Sequence, residues 1–233
     1  MPTRARLQPN TESVDNYLKA ILALGGQQER LVTGKELALH LHVAPASVTN
    51  MLQKLAAQPE PPVLYEIHRG ARLSVAGKRR ALEVVRHHRL LETFLFEVLH
   101  YPLEEVHDEA ERLEHFISER FEERIAARLG HPKIDPHGHC IPELDGRMAN
   151  LDAVPLSDTA GNGPFLVESV EDRDSHILRL LRTSGIRPGA RLQVRTRTAV
   201  GHLRVTLRGR TVHLPPQHAR AVRVRPARSP HIR

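Results

Sequence analysis

Two stretches of the chain concentrate side chains able to hold a cation. Between His107 and His115 the sequence reads HDEAERLEH, and on one helix His107, Glu111, Glu114 and His115 would fall at i, i+4, i+7 and i+8, a single stripe. On the preceding helix His88 and Glu92 stand at i and i+4. Two antiparallel helices would bring these carboxylates and imidazoles together, and like charges a few ångströms apart are costly unless a cation joins them. The spacing therefore predicts a metal site. With no thiolate or thioether in the stripe, its composition favours Mn(II) or Fe(II), while the Irving–Williams order lets Zn(II), Co(II) or Ni(II) substitute in vitro, with Cd(II) a further substitute there. H-E-x-x-H is absent and no Ser or Cys nucleophile accompanies the cluster, so the chain reads as a non-enzyme without a small-molecule substrate. A metal-dependent hydrolase or nuclease is the remote alternative.

A second chemistry lies upstream. Thr33-Gly-Lys-Glu36 has the pattern of a capping box opening a helix, and after a break at Val43-Ala44, Pro45 suits the first position of the next. In that helix Val48, Met51, Leu52 and Leu55 point inward and Ser47, Asn50 and Lys54 outward, which makes a helix-turn-helix. Its N-terminal residues Ala44, Pro45, Ala46, Ser47, Thr49 and Asn50 are the candidate readers of DNA bases, Asn50 foremost because Asn pairs bidentately with adenine. Lys54, Arg69, Arg72 and the run Lys78-Arg79-Arg80 would neutralise phosphates.

These side chains need a scaffold of several small domains, since 233 residues exceed one ordinary domain and fall short of two large ones. Residues 11–24 predict a first amphipathic helix, and VLYEIH and ARLSV around Arg69-Gly70 predict a hairpin wing. A long helix is expected from Val75 to about Leu99 and a second from Tyr101-Pro102 to Leu129-Gly130, with a large apolar surface between them. Beyond Pro164 five short strands and a helix near Ser175 to Arg182 suggest a small barrel. The fold class is thus mainly α with a small β part: a winged helix-turn-helix over 1–74, a helical dimerisation and metal-binding domain over 75–150, a linker over 151–163 and a β barrel over 164–233. A single cysteine, Cys140, excludes a disulfide framework, and neither a signal peptide nor a membrane span is visible, so a cytoplasmic protein with no membrane partner is expected.

Charge is divided sharply. Residues 175–233 hold fourteen Arg and no Lys, Asp or Glu, which leaves −7 for the rest of a chain whose net charge is +7. Within that rest, residues 92–124 carry eleven acids against three bases. An arginine-rich domain facing an acidic one would dock favourably, and the same arginines would also suit DNA or serve only as a solvated face.

A winged helix, then HHRLLETFL, then VHDEAERLEH, then a small barrel resembles the diphtheria toxin repressor family of metal-dependent transcriptional regulators along essentially the whole chain. APASVTNMLQKL is similar to the manganese-sensing branch. The resemblance implies a homodimer formed through the middle domain, a palindromic double-stranded operator bound when metal is loaded, control of metal uptake genes, and an SH3-like (FeoA-like) barrel. It also implies a primary site of Glu111, Glu114 and His115 with a first-helix ligand, either Asn16 or, by a shift in register, Asp15. His88, Glu92 and His107 would form the ancillary site. Glu111 stands where iron-responsive members carry cysteine, which sides with manganese over iron, whereas Lys19 replaces a carboxylate of the smaller manganese sensors. Asp135 and His137 resemble loop ligands of longer sensors. Glu168 and Glu171, three residues apart, would supply the barrel's ligands. Cys140 in HGHC could bind soft metal with His137 or His139. A zinc-filled or purely structural cluster in a DNA-binding repressor is the runner-up.

Overall fold

The computed structural model describes residues 11–26, 28–149 and 152–227, and the chain divides into two compact units. The first takes the described residues up to His87 together with Glu114–Ile117 and Pro142–Arg147; the second takes His88–Leu113, Ser118–Ile141 and the described residues from Met148 onward.

In the first unit, helices α1 (Thr11–Gly25), α2 (Gly34–Leu41) and α3 (Pro45–Ala56) precede a hairpin of β1 (Val63–Glu66) and β2 (Gly70–Leu73). Leu18, Ile21, Leu37, Val48, Leu52, Leu55, Val63 and Ala71 form one buried core. The helix-turn-helix forms for the reasons its sequence gives. Thr33 and Glu36 make the reciprocal capping box, His42 closes α2 in the left-handed conformation (φ 54°), and Pro45 opens α3 after an extended Ala44. Gly70 (φ +134°) is required where β2 meets Val32, because a Cβ there would lie 2.4 Å from the Val32 carbonyl oxygen. The wing is thereby tied back to the core through the paired backbones of Val32 and Ala71.

Helix α4 (Val75–Glu97) is continuous but contributes to both units, its Val75–His87 portion to the first. Gly77 packs on the Pro62 carbonyl and Ala81 enters the winged-helix core, so the first turns of α4 pack with the first unit. The expected second long helix is two: α5 (Val106–Leu113) and α6 (Glu119–Arg128). Ser118, whose hydroxyl accepts from Phe121 N, starts α6 afresh and offers the chain an alternative to continued helix. Glu114 and His115 therefore lie in a turn beyond α5, and the single stripe breaks after Glu111.

The second unit ends in a six-stranded antiparallel sheet ordered β3-β8-β4-β5-β6-β7. Its strands are β3 (Val154–Pro155), β4 (Pro164–Val170), β5 (Arg191–Arg197), β6 (Leu203–Leu207), β7 (Arg210–Leu214) and β8 (Val222–Pro226). Helix α7 (Ser175–Thr183), capped by Asp174, and the short α8 (Pro216–Arg220) complete the core, in which Leu156, Val167, Leu178, Leu181, Val194, Val205 and Val224 are buried. The expected linker is structured in part: β3 pairs with β8, and Leu156 in the 3-10 turn that follows is wholly buried. Leu103, just before α5, packs on this core, and Glu104 beside it receives Arg182 at 3.0 Å and Arg179 at 3.5 Å.

Arg30 and the Thr33 amide and hydroxyl hold the Glu36 carboxyl at about 2, down from 4.5. Because the folded value is the lower one, this stabilisation is complete above pH 4.5 and is lost as pH falls toward 2. Glu36→Gln should therefore cost stability at neutral pH, with the difference from the native chain narrowing through that acid window. Thr33→Ala should cost about 1 kcal/mol at neutral pH. Urea unfolding of the three chains at neutral pH and within that acid window measures each effect.

Candidate metal centres and nucleic-acid interface

The first centre lies in the first unit. Helix α1 contributes Asp15, Asn16 and Lys19, α4 contributes Arg80, and the turn beyond α5 contributes Glu114 and His115. Arg80 clamps Asp15 bidentately, Nε to Oδ1 at 2.9 Å and Nη2 to Oδ2 at 2.7 Å. His115 Nδ1 stands 3.4 Å from Asp15 Oδ2 and its Nε2 3.2 Å from Glu114 Oε1, while Lys19 donates to Glu114 Oε1 at 2.6 Å. Burial pushes the Asp15 carboxyl up, but His115 and Arg80 outweigh it and leave the group below its ordinary range. Of the two first-helix candidates it is Asp15 that meets His115. Asn16 bonds to none of these groups, and its Oδ1 is buried with no hydrogen-bond partner among the described residues. Both carboxylates thus carry a protein cation, Arg80 or Lys19. Arg80, expected on DNA phosphates, is turned inward.

The second centre lies in the second unit and is built around Glu92, which is wholly buried. Its Oε1 is 3.0 Å from His88 Nε2, 3.3 Å from His107 Nδ1 and 3.6 Å from His137 Nδ1, and the His88 and His107 nitrogens approach to 3.1 Å. Two imidazole nitrogens at that distance share a proton or a cation. His88, Glu92, His107 and Asp172 offer ligand atoms within 4.8 Å of one another, and so do Glu92, Asp135 and His137. Burial raises the Glu92 carboxyl, yet the surrounding histidines, His88 first, hold it well below its ordinary value.

The loop after α6 brings Asp135 and His137 here by local chemistry. Asp135 Oδ1 accepts the amides of His137 (2.8 Å) and His139 (2.9 Å), folding the loop on itself. Gly138 (φ +92°) then passes so close to β4 that a Cβ would lie 2.0 Å from the Glu168 carbonyl oxygen, and Val170 N donates to His137 O at 2.9 Å. His139 Nδ1 sits between Asp135 Oδ2 (3.4 Å) and Asp172 Oδ2 (3.3 Å). Burial lowers His139, but this carboxylate pair raises it to about 10.

The expected barrel pair does not reach the centre: Glu168 is paired with Arg225, and Glu171 is exposed with Arg173 as its neighbour at 3.9 Å. A bulge in β4 between Val167 and Ser169 changes the phase of its alternation, and the carboxylate delivered to the cluster is Asp172. Sequence reasoning missed Asp172 because VESVEDRD holds four acids whose directions depend on that bulge. Glu111 is half-buried on α5, one turn beyond His107. Cys140 is buried, its thiol pushed up chiefly by burial, and it joins neither ligand group of this unit.

Both centres suit a cation. In the second, Glu92 Oε2 is buried without a hydrogen-bond partner among the described residues, and in the first so is Asn16 Oδ1. Orphaned acceptors of this kind are costly unless a ligand completes them.

The winged helix presents Ala44, Pro45, Ala46, Ser47, Thr49, Asn50 and Lys54 to solvent. The Thr49 hydroxyl bonds back to Pro45 O (3.2 Å), which leaves Ser47 and Asn50 as the polar side chains free to read bases. On the wing Arg69 is exposed and pairs with Glu66, Arg72 is exposed, and Lys78 at the start of α4 pairs with Glu29.

Comparison with known proteins matches these parts in order. Residues 10–59 match the iron-dependent repressor N-terminal DNA-binding domain, 74–143 its metal-binding and dimerisation domain, and 154–226 the FeoA domain. Over 171 residues the chain is 36% identical to the iron-dependent repressor IdeR of Mycobacterium leprae, covering 67% of this chain and 74% of that protein. The chain belongs to the iron-dependent (diphtheria toxin) repressor family. This repressor is also 30% identical over 172 residues to the diphtheria toxin repressor of Corynebacterium diphtheriae, covering 70% of this chain and 75% of that protein. Among solved structures, a manganese-dependent transcriptional repressor in complex with manganese superposes with a TM-score of 0.85 at 36% identity, covering 92% of this repressor and 100% of that chain. ScaR with bound zinc superposes with a TM-score of 0.80 at 29% identity, covering 92% and 99%. These relatives are metal-dependent transcriptional repressors and not enzymes.

Two substitutions test the centres. Glu92→Ala should abolish most of the rise in melting temperature that a divalent cation gives the chelator-treated native protein, with Mn(II) as the probe. Lys19→Met leaves Glu114 buried without its lysine and should lower metal-free stability by about 3 kcal/mol, while Mn(II) should raise the variant's melting temperature more than the native chain's. Calorimetric melts with and without Mn(II) record both outcomes.

Proposed function

We propose that the chain is a manganese-responsive transcriptional repressor, a cytoplasmic homodimer that binds a palindromic operator when metal-loaded and controls metal uptake genes. The observation that carries this reading is the buried cluster around Glu92, where His88, His107, Asp135, His137 and Asp172 converge and Glu92 Oε2 is left without a hydrogen-bond partner among the described residues. Nitrogen and oxygen donors without a thiolate suit Mn(II) or Fe(II). Glu111, which stands where iron-responsive members of the family that the sequence resembles carry cysteine, tips the choice toward manganese. The manganese-bound structural relative supports the same ion, while the iron-dependent relatives keep Fe(II) as the alternative.

In this reading Glu114, His115 and Asp15 form the primary centre, with the orphaned Asn16 Oδ1 beside them as a further ligand. A divalent ion supplies there the positive charge that Lys19 and Arg80 otherwise provide. Bound, it would tie α1 to the turn beyond α5 and so fix the winged helix for DNA. Exposed Phe96, Leu99 and Phe121 in the second unit supply apolar surface for a dimer. Paired recognition helices would then meet half-sites about 34–36 Å apart. The six-stranded sheet is taken to close as an SH3-like barrel. Metal and DNA affinities are coupled reciprocally, typically by about 1–3 kcal/mol.

Mobility shift of the chelator-treated protein on its own upstream region tests the proposal. Binding should appear with Mn(II), more weakly with Fe(II), and not without metal; Glu114→Ala and His115→Ala should lose the metal response, and Asn50→Ala the preference for the operator. Full operator binding without metal by the native chain and both metal-site variants would overturn it.

A further inference from the structure

The fourteen arginines of residues 175–233 divide into two sets. Some are structural: Arg179 and Arg182 hold Glu104, Arg225 holds Glu168, Arg197 bonds to carbonyl oxygens of the 156–161 segment, and Arg223 donates to Ala153 O. The others, within the described residues, face solvent without a carboxylate partner. Docking to the acidic part of the unit thus engages α7 and leaves the outer face of the sheet unused.

That face has a definite composition. On β6, Arg204 stands opposite Thr196 of β5 and His213 of β7, and Thr206 stands opposite Gln193 and Thr211. Arg195 Nε donates to Thr206 Oγ1 at 3.1 Å, which places it on the same side beside Arg204. Arg191 lies on β5 opposite Leu166, about 13 Å along the strand from Arg195 at roughly 3.3 Å per residue. Like charges side by side on neighbouring strands are destabilising. An ordinary surface intersperses both signs, whereas residues 175–233 contain no acid to do so. Guanidinium groups flanked by Thr hydroxyls make the chemistry that binds phosphodiester oxygens.

We propose that the outer face of β5, β6 and β7, through Arg191, Arg195 and Arg204, is a second DNA-binding surface that grips the phosphate backbone without reading sequence. The choice of DNA as the polyanion rests on the repressor reading, since the same chain already carries a winged helix. Each phosphate neutralised adds about 0.9 to the dependence of log affinity on log salt, so three contacts add roughly 2.7. Between about 50 and 200 mM salt the native chain should then lose roughly forty-fold more affinity than a variant without them.

The test uses the full-length protein and two duplexes, its operator and a mixed-sequence duplex of equal length, titrated across a KCl series with and without Mn(II). The triple variant Arg191→Gln, Arg195→Gln, Arg204→Gln should show a slope smaller by about 2–3 on both duplexes, with metal-dependent preference for the operator intact. The triple Arg→Lys variant, which keeps the charge, should retain the native slope. A native slope in the Gln variant, or a slope lost in the Lys variant, overturns the proposal. So does a face that binds phosphatidylglycerol vesicles in the native chain while the DNA slopes of native and Gln chains agree. Failure of the repressor reading looks different: operator binding indifferent to metal in every chain, whatever the slopes.

Discussion

A carboxylate buried among imidazoles governs the second unit. Glu92 is wholly buried, so the ring nitrogens of His88, His107 and His137 stabilise its charge, and each arrives on a different segment. Helix α4, helix α5 and the loop after α6 are in this sense held to one another by an electrostatic demand at a single atom. Apolar packing brings the elements together. The polar centre then selects the arrangement in which no charge is left alone, the setting in which buried ionic groups contribute specificity of structure as much as stability.

The first unit answers the same demand differently. Asp15 and Glu114 are as buried as Glu92, but Arg80 and Lys19 meet them directly, and His115 lies between. Two long flexible cations occupy ground that a compact divalent ion would also seek. A carboxylate bound to lysine is released by rotating the lysine's methylenes toward solvent, whereas Glu92 has only neighbouring imidazoles to exchange for an ion. The two centres therefore begin from different electrostatic states.

Much of this was legible in the sequence because local rules decide it. Thr33 with Glu36, Pro45 after an extended Ala44, and Arg69-Gly70 between alternating runs each specify their element within a few residues. The six candidate ligands likewise stood out by spacing. What escaped depended on non-local competition. The stripe read through Glu114 and His115 because nothing before Ser118 in the sequence warns that α5 stops at Leu113. Asp172 was hidden by a bulge that only pairing with β8 reveals. Lys19 and Arg80 were legible as charges, but their partners lie 95 and 65 residues away in the chain, beyond the reach of periodicity.

The loop that carries Asp135 and His137 is stitched to its surroundings through its backbone: Asp135 caps two of its amides, Gly138 lies flush against Glu168, and Val170 N is bonded to the His137 carbonyl. An ion held by the wholly buried His137 would leave by way of an opening of that stitching. Its residence time would accordingly be set by a conformational rate, a property of the strand-to-loop seam, so that tight binding and rapid response to falling metal need not be traded against each other through the ligands alone.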